Sequence, residues 1–151
     1  MLTRVLFIAF LSTVGCSTSR APVAQYKSSL ITESLPSAIS LDLEFDLSNN
    51  NDEPLKLVTY RYFVSVNGDI VYRGMVDAQQ TLPRGSTTKT TIPIVIPRAY
   101  LVGQDTVVWH MRGTLEYLSH GALAETLVDS KLWQPSTTVA ASDYFVVPPI
   151  E

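Results

Sequence analysis

The stretch of sequence that decides the fold is residues 41–47, which read Leu41-Asp42-Leu43-Glu44-Phe45-Asp46-Leu47. Apolar and acidic side chains alternate here without a break, so in an extended strand the apolar side chains share one face and the acids share the other. A helix would distribute the acids around its circumference. The pattern therefore predicts a strand with one face against a core and one in water. It assigns the acids to a solvated face rather than to the carboxylate pair of a glycosidase.

Period-two alternation continues toward the C-terminus in segments separated by turn residues. Residues 48–54 predict the first turn, because Asn and Asp tolerate a left-handed backbone. Leu55 and Leu57 are out of phase with Val58 and the residues after it, which predicts a β-bulge near Leu57-Val58. Asn67-Gly68 is the signal for a tight hairpin. Further strands are predicted at 55–66, 70–74, 87–96, 106–117 and 125–133, with a turn at 119–122.

Six or seven strands with almost no helix are typical of an antiparallel β-sandwich. Pro93 cannot donate a ladder hydrogen bond, which places its strand at a sheet edge or a bulge, and residues 97–103 are expected to form a short helical turn. The sandwich is predicted to span residues 38–134. A flexible tether rich in Ser, Thr, Ala and Pro is predicted before it, at 16–37, and an extended tail after it, at 135–151.

Composition excludes one class of partner. The chain has 151 residues, the size of one domain, and 46% of them are hydrophobic, which is enough to build a core. Charged residues make up 17% of the chain, the formal net charge is −3, and the sequence shows no Lys/Arg stripe. A nucleic-acid partner is therefore not expected.

The first 15 residues differ from the rest and predict an export signal. They contain one charge, at Arg4, and then an apolar run that is too short to span a bilayer, which takes about 20 residues. The only cysteine, Cys16, resembles the lipidated cysteine of the bacterial lipobox, although Thr13 stands where Leu is usual. The alternative is a lone thiol in an ordinary signal peptide. A single cysteine cannot form an internal disulfide, which favours lipidation.

Lipidation of Cys16 would make a membrane the first partner of the chain and would place the domain in the cell envelope. The residue after the cysteine is Ser17 rather than Asp. By resemblance to enterobacterial sorting, this favours the outer membrane facing the periplasm over the inner membrane.

The segment from about 38 to 133 resembles the late-embryogenesis-abundant type 2 family and its water stress and hypersensitive response (WHy) domain. The resemblance rests on the order of features. An alternating strand runs into the turn Asn49-Asn50-Asn51, and a long strand with paired tyrosines ends in Val66-Asn67-Gly68. A Thr-rich strand with alternating isoleucines follows the loop 82–85. The family usually has Asn-Pro-Asn in the first turn, where this sequence has Asn50 in the middle.

The resemblance implies an all-β, immunoglobulin- or fibronectin-III-like antiparallel sandwich of about seven strands. It also implies no catalytic residues, no cofactor, and a role in tolerance of drying and other stress. Weak contact with unfolding client proteins or with membranes would be one way to protect. An interaction module that docks a specific envelope protein is the second interpretation, and an enzyme is the third.

Residues that carry chemistry are sparse. A zinc site needs three or four ligands held close together, and the two histidines, His110 and His120, are predicted to be solvated, one on the polar face of a strand and one in a turn. The sequence has no Gly-x-Ser-x-Gly elbow and no Gly-rich phosphate loop. Phe63 is out of parity and is expected to face outward, either as a contact site or beneath a loop. Four aromatic residues are predicted to lie in the core: Tyr60, Tyr62, Trp109 and Tyr117.

Overall fold

A computed structural model describes residues 19–119, 130 and 134–149. These residues form strands β1 (Val23–Ser34), β2 (Ala38–Ser48), β3 (Leu55–Val66), β4 (Asp69–Leu82), β5 (Thr87–Pro97), β6 (Thr106–Ser119) and β7 (Ser136–Val146), with a short 3₁₀ helix (Arg98–Tyr100) between β5 and β6. In this part of the chain no helix is long and apolar enough to cross a membrane. The predicted export signal at 1–15, Cys16, His120 and the predicted strand at 125–133 lie outside the described residues.

The strands form two sheets that pack against each other. The three-stranded sheet has the order β1-β2-β5, and the four-stranded sheet has the order β4-β3-β6-β7. Every hydrogen-bonded pair of neighbours is antiparallel. The predicted all-β sandwich of about seven strands is therefore confirmed.

The core lies between the sheets and is built from alternate side chains of the central strands. Leu41, Leu43, Phe45 and Leu47 of β2 are buried, and the acids between them point away from the core. The four aromatic residues predicted for the core are all buried. The face assignment that starts from residues 41–47 is thus confirmed across both sheets.

Local predictions from turn chemistry are also confirmed. The register of β3 shifts between Leu57 and Thr59 against both of its neighbours, which is the predicted bulge. Asn67 and Gly68 both have positive φ, 53° and 91°, as a two-residue type I′ hairpin requires. Pro93 lies on β5, which is an edge strand of its sheet. The predicted helical turn is the 3₁₀ helix.

The structure corrects the expected boundaries at both ends of the domain. The flexible tether predicted at 16–37 is replaced over most of its length by β1, which pairs with β2. The extended tail predicted at 135–151 is instead a sheet strand, β7, which pairs with β6. β1 contains two register shifts, which interrupt its period. β7 has no shift, but polar Asp143 lies at an inward position and Tyr144 and Val146 at outward ones, so its apolar alternation is obscured in sequence.

Tyr62 connects the two sheets through the core. It lies between Gly74 on β4 and Gly113 on β6, and its hydroxyl donates a hydrogen bond to the carbonyl oxygen of Pro93 on the opposite sheet. A Cβ on Gly74 would overlap the Tyr62 ring, and a Cβ on Gly113 would overlap the carbonyl oxygen of Arg61. Burial raises the pKa of Tyr62. Glycine at position 74 is therefore required for the ring to lie where it does, and glycine at position 113 is required for the close approach of β6 to the backbone of β3.

Tyr26 connects the sheets along one edge of the sandwich. Its ring meets Phe45 and Trp109 edge to face, with centroids 5.7 and 6.0 Å away. Its hydroxyl donates a hydrogen bond of 2.7 Å to Oδ2 of Asp143 on β7. Burial, and then this bond to Asp143, raise the pKa of Tyr26 to about 12. The two strands missed from sequence are thus joined to each other.

Candidate functional site

The asparagine turn after β2 is built around one buried side chain. Asn49 is fully buried, and its Nδ2 points at three carbonyl oxygens, those of Glu53 at 2.9 Å, Leu82 at 3.2 Å and Pro83 at 3.1 Å. Its Oδ1 accepts bonds from the backbone N–H and the Nδ2 of Asn51, at 3.0 and 2.8 Å. Both ends of the amide are therefore used to hold two loops together, and neither is left for a ligand.

Asn51 extends this network to the N-terminal segment. The backbone N–H of Arg20 donates to Oδ1 of Asn51 at 2.7 Å, and Nδ2 of Asn51 donates to the carbonyl oxygen of Arg20 at 2.8 Å. Asn50 between them is exposed. The turn residues singled out in the sequence are thus brought together, but their geometry is that of a structural joint.

The predicted solvated acids form an acidic face, defined as Asp42, Glu44 and Asp46 on the outer side of the three-stranded sheet. Two of them are paired with lysines: Nζ of Lys89 lies 2.6 Å from Glu44, and Nζ of Lys27 lies 3.1 Å from Asp46. The partner carboxylate is also what raises the pKa of Lys89. These carboxylates are therefore placed for exposed ion pairing along a flat strand.

Catalytic or metal-binding arrangements do not form in the described part of the chain. No three His, Cys, Asp or Glu side chains there converge as a metal site requires. His110 is exposed on the outer side of β6, as predicted, and its Nδ1 lies 2.9 Å from the hydroxyl of Ser142. A serine beside a histidine on an open sheet face lacks the third group that would orient the pair for nucleophilic catalysis.

The outer side of the four-stranded sheet carries an arginine face, defined as Arg61, Phe63, Arg73, Met75 and Arg112. Strand register places Arg73 and Arg112 directly on either side of Phe63, and Met75 beside Arg61. These residues line an open depression of about 420 Å³. Nε of Arg61 lies 3.1 Å from Glu116, whereas Arg73 and Arg112 make no ion pair within residues 19–119 and 134–149.

Phe63 faces outward, as predicted, and is half-buried. Within the described residues its depression is lined by strand residues alone. Sequence reasoning missed the arginine face because its arginines come from three strands and are distant in the chain. The only available signal was that Arg61, Phe63 and Arg112 all occupy positions whose side chains point away from the core.

The end of the sandwich away from Asn49 is apolar. Of the ten large hydrophobic residues exposed in the described part of the chain, seven lie at this apolar end: Leu35, Ile70, Tyr100, Val102, Val108, Tyr144 and Val146. Arg98 organises the end, donating to the Leu35 carbonyl at 2.6 Å, the Pro148 carbonyl at 3.1 Å and the Ser34 hydroxyl at 2.7 Å. Exposed apolar side chains are therefore concentrated at this end of the described chain.

Comparison with known proteins begins with a family match. The sequence model of the late embryogenesis abundant protein family LEA_2 matches residues 44–128, which is more than half of the chain. The matched segment contains the asparagine turn, the arginine face and all of β3 to β6. A comparison with curated proteins finds no significant match.

Solved structures share the fold at low sequence identity. A solution structure of a protein from Arabidopsis thaliana superposes with a TM-score of 0.65 at 9% identity, over 88% of this chain and 86% of that one. A candidate late embryogenesis abundant (LEA) protein superposes with a TM-score of 0.64 at 10% identity, over 85% and 72%. A protein from Archaeoglobus fulgidus gives 0.50 at 12% identity, over 88% and 100%. At these identities the likeness concerns the fold alone.

Proposed function

Because this chain belongs to the late embryogenesis abundant family LEA_2, we propose that it is a non-catalytic, membrane-tethered lipoprotein that protects other proteins during water stress. Its domain would be of the water stress and hypersensitive response type, and Cys16 would carry the lipid. The observation that carries the proposal is the family match on a sandwich whose exposed apolar side chains gather at one end.

The apolar end supports a protective role without catalysis. Its side chains are exposed but rest on an ordered frame, because Arg98 ties the β1–β2 turn to the C-terminal residues. A frame of this kind can offer apolar area to a partly unfolded protein without itself unfolding. Such contacts would be weak and would not depend on a complementary shape, so the protein could bind many different clients.

A drying assay tests the client contact directly. A drying-sensitive enzyme such as lactate dehydrogenase is dried and rehydrated with the protein, and its recovered activity is measured. Val102→Ser with Val146→Ser, which removes the two most exposed apolar residues of the apolar end, should reduce the recovery. Val23→Ser with Leu30→Ser, at exposed sites elsewhere, is the matched control and should not. Equal protection by both variants would contradict a role for the apolar end.

The anchor is tested by the mass and location of the native protein. Lipoprotein processing attaches a diacylglyceryl group to the cysteine sulfur and cuts before that residue, so the mature chain should begin at Cys16 and carry added lipid mass. Two acyl chains hold a protein stably on a bilayer, since each buried CH₂ adds about 0.8 kcal/mol. Cys16→Ser should release the protein or leave a precursor. An unlipidated native chain in the soluble fraction would remove the anchor from the proposal.

A deletion strain separates stress protection from docking of a specific envelope partner. Protection predicts death on drying with a normal envelope in the absence of stress. Docking predicts an envelope defect without stress and one stoichiometric partner on pull-down.

A further inference from the structure

The arginine face leaves two of its three arginines without an acidic partner among the described residues. Arg73 and Arg112 are exposed and make no ion pair within the described residues, while Lys27 and Lys89 on the opposite sheet are both paired. The Arg61 side chain is 57% exposed and forms an ion pair with Glu116. An arginine guanidinium presents a planar set of donors suited to phosphate and carboxylate oxygens. This face is therefore arranged to receive an anion from outside the chain.

The charge of this face runs against that of the whole chain. The protein carries a formal net charge of −3, but Arg73 and Arg112 lie in one row across three strands, on the two sides of Phe63. Neighbouring strands are about 4.8 Å apart, so the two Cα atoms are separated by roughly 10 Å, about one Debye length at physiological salt. The charged residues nearest Phe63 on this face are therefore two arginines, while the acids Asp77 and Glu116 lie farther along the same side, beside Thr59.

The shape of this face favours a planar ligand over a peptide. The depression is open, and among the described residues it is lined by strand residues of one sheet, so no described loop fixes the course of an extended chain. Apolar side chains extend from the same face: Met75 is 67% exposed, and Tyr144 and Val108 follow farther along the sheet at 64% and 50%. A flat surface of arginines with apolar and aromatic side chains among them matches the headgroup region of a bilayer.

We propose that the arginine face binds the anionic headgroup surface of a phospholipid bilayer. Arg73 and Arg112 contact lipid phosphate and carboxylate oxygens, Arg61 adds a contact when it leaves Glu116, and Met75 enters the interface beside them. This contact is separate from the proposed lipid anchor and does not depend on it. An anchor would hold the domain near the bilayer but would not determine which face of the domain contacts the lipids.

The test uses the mature chain from residue 16 with Cys16→Ser, which removes any lipid and keeps every described strand, the first of which begins at Val23. Sedimentation with vesicles of phosphatidylcholine alone is compared with vesicles containing about one third phosphatidylserine. Each arginine near an anionic surface strengthens binding about fivefold, so Arg73→Gln with Arg112→Gln should weaken it on the order of 30-fold. Arg84→Gln with Lys89→Gln removes the same net charge from exposed sites elsewhere and is the matched control.

Binding that requires phosphatidylserine, falls as salt rises, and is lost in the Arg73/Arg112 variant but kept in the control supports the proposal. Equal sedimentation with both kinds of vesicle, or equal binding by both variants, would overturn it. Tight binding to polyglutamate without binding to vesicles would also overturn it and would assign the face to an acidic protein segment. Each of these outcomes leaves the lipidation of Cys16 undecided, because the tested chain carries no lipid.

Discussion

The outer sides of the two sheets carry charge in opposite ways. On the acidic face, Glu44 and Asp46 are held by Lys89 and Lys27. On the arginine face, Arg73 and Arg112 are left without an ion pair among the described residues. Exposed ion pairs contribute little to stability, so neither arrangement is needed for folding. Two of the three acids on one face thus have a lysine partner, whereas two of the three arginines on the other have no acidic partner among the described residues.

The largest expected effect comes from the core that both faces share. Phe45 lies beneath the acidic face, fully buried, and its ring meets Tyr26. Phe45→Ala should lower the free energy of unfolding by about 3–5 kcal/mol, because a large apolar side chain is lost and a cavity remains. Urea unfolding followed by circular dichroism measures this. Thr91→Ala, exposed on the neighbouring strand, is the control and should change stability by less than about 0.5 kcal/mol.

The next effect concerns the joint that holds the two sheets together at the end opposite the apolar end. Asn49→Ala leaves three carbonyl oxygens without their donor and should cost about 1–3 kcal/mol. Asn50→Ala, at the exposed neighbour in the same turn, should be nearly neutral. Thermal melts of the two variants give the comparison directly. Similar losses for both would mean that turn conformation, rather than the buried amide, stabilises this end.

A smaller effect should appear at high pH, at the edge where β1 meets β7. The pKa of Tyr26 is raised from 10.0 to about 12 in the folded state. Its neutral form is therefore favoured by folding, and this contribution is complete below pH 10 and is lost as pH rises toward 12. Tyr26→Phe should cost about 1 kcal/mol at neutral pH and should flatten the decline of stability between those pH values. Tyr100→Phe, at an exposed tyrosine, is the control and should keep the decline.

The smallest effect tests the difference between the two faces itself. Lys27→Gln breaks an exposed ion pair and should cost at most about 1 kcal/mol. Arg73→Gln removes a charge that has no partner in the described chain and should leave stability unchanged or slightly raised, because repulsion from Arg112 is relieved. Urea unfolding of the two variants at low and high salt shows whether each substitution raises or lowers the free energy of unfolding. A larger loss for Arg73→Gln than for Lys27→Gln would show that the arginine face is needed by the fold.

The interior strands and the edge strand β5 could be predicted from sequence, and β4 in part, whereas the edge strands β1 and β7 could not. Strand β2 pairs on both sides and buries one complete face, so its alternation is unbroken. β1 and β7 are edge strands, and β1 shifts register twice, which interrupts the period. The asparagine turn was found by residue type, but its role depends on which carbonyls fold against Asn49. The arginine face depends on the register of three strands that are separated along the chain, and no local pattern contains that information.

The reciprocal bonds between Arg20 and Asn51 also limit how far the domain can travel. The four steps from Cys16 to Arg20 span at most about 14 Å, even when fully extended, whereas the predicted tether of 16–37 would have allowed several times that reach. With a lipid on Cys16, the sandwich would therefore have a short, nearly constant stand-off from the bilayer. The domain would then change its tilt relative to the bilayer more than its distance from it. The bonds to Asn51 hold the N-terminal segment at the end of the sandwich that carries Asn49, so the domain would pivot about that end.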